Sequence, residues 1–323
     1  MQSTQNRRHF MAAAALSLAA PLAYAQGRYP ERPVTLVMPG TVGGSPDVMA
    51  RLLALKIQPS LGQPMLVDTV PGASGIIGIQ KMLRNPADGY TALYGFNQLV
   101  TMNPHLIKNL SYNPEKDFAP VTMTADLGYI WIAHNDFPAS NVQDWIKYAR
   151  ANPRKVTFGT TGPGSAANLG GELFMKHTGT EILAVPYKGN STSDLMAGFI
   201  HLKMEPYTTA VPLVTSGKVK ALAVTGTERL KVLPDVPTMS EFFKEYVIRG
   251  WHAVWVKAGT PQPAIERLNR EFALAVKQPD VVERMNTVGL RAMTSTPAEL
   301  AALTRQESAM WGELIRERNI QVE

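Results

Sequence analysis

Apolar and polar residues fall along this chain in blocks that recur in one order. Val34 to Met38 is an apolar run between prolines, as expected of a short buried strand. Pro39 to Asp47 is rich in glycine and hydroxyl residues, and Val48 to Leu55 reads as a helix. Leu61-Gly62-Gln63-Pro64 turns the chain and Met65 to Asp68 is a second strand. Pro71 to Gly75 is a second glycine-bearing loop, followed by a helix from Ile76 to Arg84 that Asn85-Pro86-Ala87-Asp88-Gly89 stops. Tyr90 to Tyr94 is the third strand. Strand, helix, strand, helix, strand at short intervals predicts a parallel sheet with helices on its faces.

The second half repeats this pattern. After apolar runs at Ala119 to Ala125 and Tyr129 to His134 come a helix from Val142 to Ala151 and a strand from Val156 to Gly159. The loop Thr160 to Ser165 leads into a helix from about Ala166 to His177. A strand at Leu183 to Pro186, a turn at Tyr187 to Asn190, a short helix near Asp194 to Ala197 and strands near Leu202 to Glu205 and Lys220 to Thr225 follow. The end is helical. Pro263 to Val276 carries Ile265, Leu268, Phe272 and Val276 on one face. Thr296-Pro297-Ala298-Glu299 is a capping box with proline at the first helical position. Its helix carries Leu300, Leu303, Met310, Trp311, Leu314 and Ile315 at core spacing.

The chemistry lies in the two loops at 39–47 and 159–168, each between a strand and a helix. Gly43 and Gly44 permit positive φ and close approach to a ligand. Ser45 is placed to cap the helix, with Pro46 at its first position. Free N–H groups and the positive end of the helix dipole then face the loop, which is an anion site. A plain strand-to-helix turn has the same residues, and the first loop alone does not separate the two. Two α/β lobes facing across a cleft would bring both helix starts onto one ligand, at the carboxyl ends of the strands.

Composition narrows the field. The 323 residues are 45% hydrophobic and 18% charged, enough for two modest domains. Arg7 and Arg8, the apolar run Phe10 to Ala20 and Ala23-Tyr24-Ala25 form an export signal cut before Gln26. Arg7-Arg8-His9-Phe10-Met11 also resembles a twin-arginine signal. The apolar run is too short to span a bilayer. Removing the signal lowers the formal charge from +6 to +4, with no basic run, which excludes nucleic acid as a natural partner. There is no cysteine, hence no thiolate chemistry. No P-loop, H-E-x-x-H, G-x-S-x-G or S-x-x-K motif occurs, and the six histidines are dispersed, which argues against a metal site. Gly162-Pro163-Gly164-Ser165-Ala166-Ala167 matches a loose dinucleotide pattern. A proline in the turn and an acid misplaced at Glu181 set it aside.

The order of motifs resembles one family. Tyr29-Pro30-x-Arg32-Pro33-Val34 is followed by Val37-x-Pro39-x-x-x-Gly43-Gly44-x-x-Asp47-x-x-Ala50-Arg51. Then come Leu61-Gly62-Gln63-Pro64, Asp88-Gly89-Tyr90-Thr91 and Asp117-Phe118-Ala119-Pro120-Val121. Gly162-x-Gly164-Ser165, Val185-Pro186-Tyr187-Lys188-Gly189 and Pro234-Asp235-Val236-Pro237-Thr238 complete the series. Together they resemble the tripartite tricarboxylate transporter substrate-binding proteins, also called the Bug family, across the whole mature chain. The resemblance implies an α/β fold of two domains, the Venus flytrap of periplasmic binding proteins, type II-like. Each domain is a mostly parallel sheet flanked by helices. It places a signal peptide at 1–25, one domain at 26–125 with 250–323, and a second at 126–249. It implies a monomer without cofactor or metal that takes a small carboxylate to a membrane permease.

Carried over by position, the ligand-binding residues are Thr41, Gly43, Gly44, Ser45 and Asp47 in one loop. The other loop supplies Thr160, Thr161, Gly164, Ser165 and Asn168. Asp47 is expected to orient the loop. Asp194 either receives a ligand hydroxyl or amino group or caps its own helix; Lys188 is a turn residue able to supply charge. Several positions depart from the family pattern. Gly40 stands where an aromatic residue usually lines the cleft. Asn168 replaces a frequent histidine, Glu205 an Asp or Asn, and Thr69-Val70 an Asn-Arg pair; the stretch from Gly189 to Asp194 is short. A missing aromatic implies a roomier site, and so a dicarboxylate, aromatic ones included, ahead of citrate. Two other functions fit the same residues: a ligand-presenting subunit of a sensor, and an enzyme on a small organic acid drawing on Tyr187, Asp194 and Glu205.

Overall fold

The computed structural model describes residues 29–187 and 191–321. The expected signal at 1–25 lies outside them. The strands are β1 Val34–Met38, β2 Met65–Thr69, β3 Thr91–Phe96, β4 Phe118–Ala133, β5 Thr157–Thr160, β6 Leu183–Pro186, β7 Leu202–Pro206, β8 Lys220–Val224, β9 Arg249–Lys257 and β10 Arg291–Ala292. The helices named below are α1 Ser45–Leu61, α2 Ile76–Leu83, α3 Val142–Ala151, α4 Ala166–Thr178, α5 Thr192–Met196, α6 Tyr207–Thr215, α7 Gln262–Val276, α8 Pro279–Thr287 and α9 Pro297–Glu317.

β4 organises the molecule. Its first part pairs antiparallel with β9, from Phe118↔Lys257 to Gly128↔Arg249. Its second part pairs antiparallel with β7, from Tyr129↔Pro206 to Ala133↔Leu202. It also pairs with β10 through Ala125 and Asp126, and with β8 from Ile130 to Ala133. One strand thus carries two sheets end to end. In the first, β2, β1 and β3 run parallel and join β9. In the second, β6, β5 and β7 run parallel and join β4. The expected parallel units are present, and the antiparallel strands are those at the crossover.

Three expectations need correction. The two apolar runs at 119–125 and 129–134 are one sixteen-residue strand, because the backbone stays extended through Leu127 and Gly128. β9, with its run of Trp251, Ala253, Val254, Trp255 and Val256, had no predicted element. Helices α6 and α8 were also unforeseen. The capping box holds: Thr296 Oγ1 accepts from Glu299 N at 3.2 Å while the Glu299 carboxylate accepts from Thr296 N at 2.8 Å.

Both faces of each sheet are covered, so strand residues alternate between core layers. In the first sheet Leu36, Met38, Tyr94, Val254 and Val256 meet α1, α7 and α8, while Val37, Leu93, Trp251 and Trp255 meet α2 and the start of α9. In the second, Trp131 and Phe158 pack with α3 and α4, where Trp145 stacks on Phe174 at 3.7 Å; Ile130 and Ile132 face α5 and α6. α9 joins the two. Leu300 lies in a core layer of the first sheet; Trp311, Leu314 and Ile315 lie in the second. Lys176 on α4 pairs with Glu313 and Glu317, and Arg318 with Glu172, each at 2.7 Å. Among the described residues no helix is long and apolar enough to cross a membrane.

Candidate functional site

The first loop leaves β1 at Met38, beside Thr69 at the end of β2. Helix α1 begins at Ser45, and the residue in the capping position is Gly44, extended at φ −67° and ψ 162°. The cap expected from Ser45 is therefore one residue too late in the chain: Val48 N already bonds to Gly44 O, so Ser45 is inside the helix. The Ser45 side chain lies outside the described groups.

Asp47, 2% exposed, sets the loop. Its Oδ2 accepts from Gly43 N at 2.9 Å and from Arg51 Nε at 3.1 Å; Oδ1 accepts from Thr69 Oγ1 at 2.5 Å. Arg51 Nη2 reaches Asp47 Oδ1 at 3.0 Å and donates to Thr69 Oγ1 at 2.9 Å. Burial pushes the carboxyl up, but the bonds from Arg51, Gly43 and Thr69 outweigh it and hold it below the ordinary value. Asp47 is fully engaged within the loop, in line with the orienting role expected of it. Thr69 and Arg51 belong to this unit, and Thr69 was not nominated: its part depends on β2 pairing beside β1.

The glycines divide by role. Gly43 sits at φ +79° with nothing within 4 Å of where a Cβ would stand, so backbone conformation requires it. Gly44 N bonds to Thr41 O at 3.2 Å. The N–H groups of Gly43 and Gly44 are thus both used inside the loop and do not face outward as free donors. Gly40 leaves no open space: a Cβ there would lie 2.9 Å from Met38 Sδ, and Met38 is fully buried. The room expected from the missing aromatic is occupied by that thioether. Gly75 and Gly78 bring α2 against Pro39, where a Cβ on Gly78 would stand 2.7 Å from Pro39 Cβ. The glycine loop at 71–75 thus supports the first loop from behind.

The second loop follows β5. Ser165 caps α4, its Oγ accepting from Asn168 N at 3.3 Å and donating to Gly162 O at 2.8 Å. Asn168 Oδ1 accepts from Gly164 N at 3.0 Å, with Gly164 at φ +75°. Thr160, 4% exposed, accepts from Gly162 N through Oγ1 at 3.1 Å. Thr161 and Pro163 are exposed at the tip.

Tyr187 adjoins this loop, its N bonding to Thr160 O at 2.8 Å. Its hydroxyl donates to Asp194 Oδ2 at 2.9 Å, and burial followed by the Asp194 carboxylate raises its pKa. Of the two roles open to Asp194, helix capping is not seen: α5 has no side-chain cap. Glu205, 5% exposed, pairs with Lys203 Nζ at 2.7 Å and accepts from Thr192 Oγ1 at 3.3 Å. Lys203 also donates to Thr192 Oγ1 at 2.8 Å. Lys203 was not nominated, yet it stands opposite Gly159, the residue before Thr160. A lysine spaced two before Glu205 on one strand face is the signal that would have found it. Lys188 lies outside the described residues.

The candidates therefore form two groups, 40–47 at the end of β1 and 160–205 around the end of β5. Among the described residues no hydrogen bond or ion pair joins them. A cavity of about 530 Å³ lies instead beside the crossover, lined by Asp126, Tyr207, Thr208, Arg249 and Arg291 and by none of the candidates. Among the described residues no cluster of three or more His, Asp or Glu is arranged to hold a metal. What both groups offer is hydroxyl and helix-start polarity, of the kind that suits a small anion.

Comparison with known proteins fits this geometry. Residues 49–320 match the model of the tripartite tricarboxylate transporter family receptor. Protein BugT of Bordetella pertussis is 33% identical over 293 residues, 90% of this chain and 90% of that protein. The solved structure of Rpa4515 from R. palustris with adipate is 32% identical, at a TM-score of 0.73 over 91% of this chain and 100% of that one. A TctC solute binding protein from Polaromonas, with no ligand, is 25% identical at a TM-score of 0.82 over 90% and 99%.

Proposed function

Because this chain belongs to the tripartite tricarboxylate transporter family of receptors, which are solute-binding proteins and not enzymes, we propose that it captures a small dicarboxylate between the loops at 39–47 and 160–168 and delivers it to a membrane permease. The observation that carries this reading is the matched construction of the two loops. In each, a glycine at positive φ is held by a side chain four residues on, at the start of a helix longer than three turns. The halves that close on the ligand are 26–125 with 250–323 and 126–249, with the last turns of α9 shared. The protein acts as a monomer in the periplasm after loss of residues 1–25.

The ligand is an aliphatic diacid. Adipate in the structure of a 32%-identical relative supports the class, and Met38 beside Gly40 argues against a special pocket for an aromatic ring. The fold superposes on the ligand-free Polaromonas protein at a TM-score of 0.82 and on the adipate complex at 0.73, so the family fold is kept with and without a dicarboxylate. A thermal-shift screen of the mature chain against acetate, succinate, adipate, phthalate and citrate tests this. A ligand at about a hundred times its Kd adds about 2.7 kcal/mol to the folded state. Adipate or succinate should raise the midpoint most. No response to any carboxylate would overturn the reading, and a response to phthalate alone would overturn the aliphatic assignment.

A further inference from the structure

The cavity of about 530 Å³ beside the crossover has walls from both halves: Asp126 and Arg291 at the β4–β10 edge, Tyr207 and Thr208 at the start of α6, and Arg249 at the head of β9. Arg249 is the unusual member. Its side chain is 19% exposed, yet its guanidinium forms no hydrogen bond among the described residues, and the buried Nε has no hydrogen-bond partner. Two carboxylates stand near, each at 3.8 Å: Asp126 from Nη1 and Glu307 from Nε. Both have nearer partners. Asp126 takes Arg291 in a fork at 2.9 and 2.7 Å, and Glu307 accepts from Trp251 Nε1 at 2.8 Å. Of the other charged groups on the cavity, Arg229 is held by Glu241 and Glu228 is exposed. A guanidinium offers five donors, and a largely buried polar group is ordinarily hydrogen-bonded. Leaving this one unmet is costly unless an acceptor enters.

We propose that this cavity is a second anion site, separate from the two-loop cleft, in which Arg249 grips the oxyanion head of a phosphate or phosphate ester. Arg291 supplies further positive charge, and the Thr208 hydroxyl, which also lines the cavity, is a donor of the right kind. Since the walls come from the first sheet and from α6 of the second half, an anion bound there bridges the two halves at their junction. The inference does not depend on the identity of the cleft ligand.

Inorganic phosphate is the probe, titrated calorimetrically into the mature chain, Arg249→Gln and Thr227→Trp. Thr227 is an exposed residue on the cavity rim, so its replacement narrows the cavity without touching the core. Both variants should weaken phosphate binding at least about tenfold. Adipate in excess should leave phosphate binding to the parent chain in place. Unchanged phosphate affinity in Thr227→Trp and in folded Arg249→Gln would overturn the proposal. So would displacement of phosphate by adipate, which would put the anion in the cleft, or no binding up to about 10 mM. Failure of adipate to bind bears on the carboxylate function alone, because the phosphate comparison of the three proteins uses no adipate.

Discussion

In the loop after β1 the N–H of Gly43 is held by the carboxylate of Asp47; in the loop after β5 the N–H of Gly164 is held by the amide oxygen of Asn168. The spacing is the same and both glycines are left-handed, at +79° and +75°. The surroundings differ. Asp47 brings a negative charge that needs Arg51 and Thr69 to settle it, tying the loop to two neighbouring elements. Asn168 is neutral and needs no counter-charge, and Ser165 adds a cap that the first loop lacks. An anion arriving at the first loop thus meets a carboxylate already neutralised by a half-exposed arginine. At the second it meets a loop without charge of its own. The shared shape points to a shared task, and the different chemistry shows that the shape was reached by separate means.

Truncating the two acceptors tests that difference with the largest effect. Asp47→Ala leaves Gly43 N–H and Thr69 without their partner and frees Arg51, which is 51% exposed and stays hydrated. The expected loss is about 2–3 kcal/mol. Asn168→Ala removes one neutral bond and should cost about 1 kcal/mol. Urea unfolding of each measures the gap, and equal losses would show that the charged network adds nothing. The gap should narrow in acid. Asp47 is held below its ordinary 3.8, so its contribution is complete above that pH and is lost as pH falls through the lowered value.

The shape of each loop was legible in the chain, because glycine, hydroxyl and helix start are neighbours in sequence. The same holds for the parallel strand units and the capping box at Thr296. What stayed hidden depends on distant partners. Thr69 acts on Asp47 only because β2 lies beside β1. Met38 fills the space at Gly40 through a side-chain conformation that composition does not reveal. β9 was missed although its apolar residues are plain, and with it the strand that links the parallel strands of the first sheet to β4. Glycine at 250 and histidine at 252 interrupt the continuous apolar run that marks a strand buried on both faces.

Acid measurements on the first loop need the background set by two buried groups away from both loops. His252, against Tyr94 and Thr124, is lowered by burial to about 4, so its share of stability is present above 6.5 and is lost as pH falls toward 4. Glu307 is raised by burial to about 7 despite Trp251, Arg249 and Asn97. Its effect has the opposite sign: stability is greatest below 4.5 and is lost as pH rises through 7. Between about 4.5 and 6.5 the two slopes oppose and the profile of the parent chain should be nearly flat. Glu307→Gln removes one slope, so stability measured in urea should climb by about 2 kcal/mol across that window. A flat profile in the variant would mean that His252 is protonated in the folded protein.

The smallest effect is the most informative about the ligand. Gly44 occupies the position of Ser165: φ −67° and ψ 162° against −69° and 156°, angles that any residue accepts. Gly44→Ser would give the first loop the cap of the second. A serine cap in place of glycine is worth a few tenths of a kcal/mol. Against this, the new Cβ would lie 3.2 Å from Thr41 O, which must yield slightly. Stability should therefore change by less than about 0.5 kcal/mol. Dicarboxylate affinity carries the decision. If the loops are equivalent, a serine serves here as it serves at 165, and affinity should stay within about threefold. A loss beyond about tenfold with unchanged stability would break the equivalence. The ligand would then press against the backbone at Gly44, where even one added carbon stands in its way, and the glycine would be there for approach, not for shape.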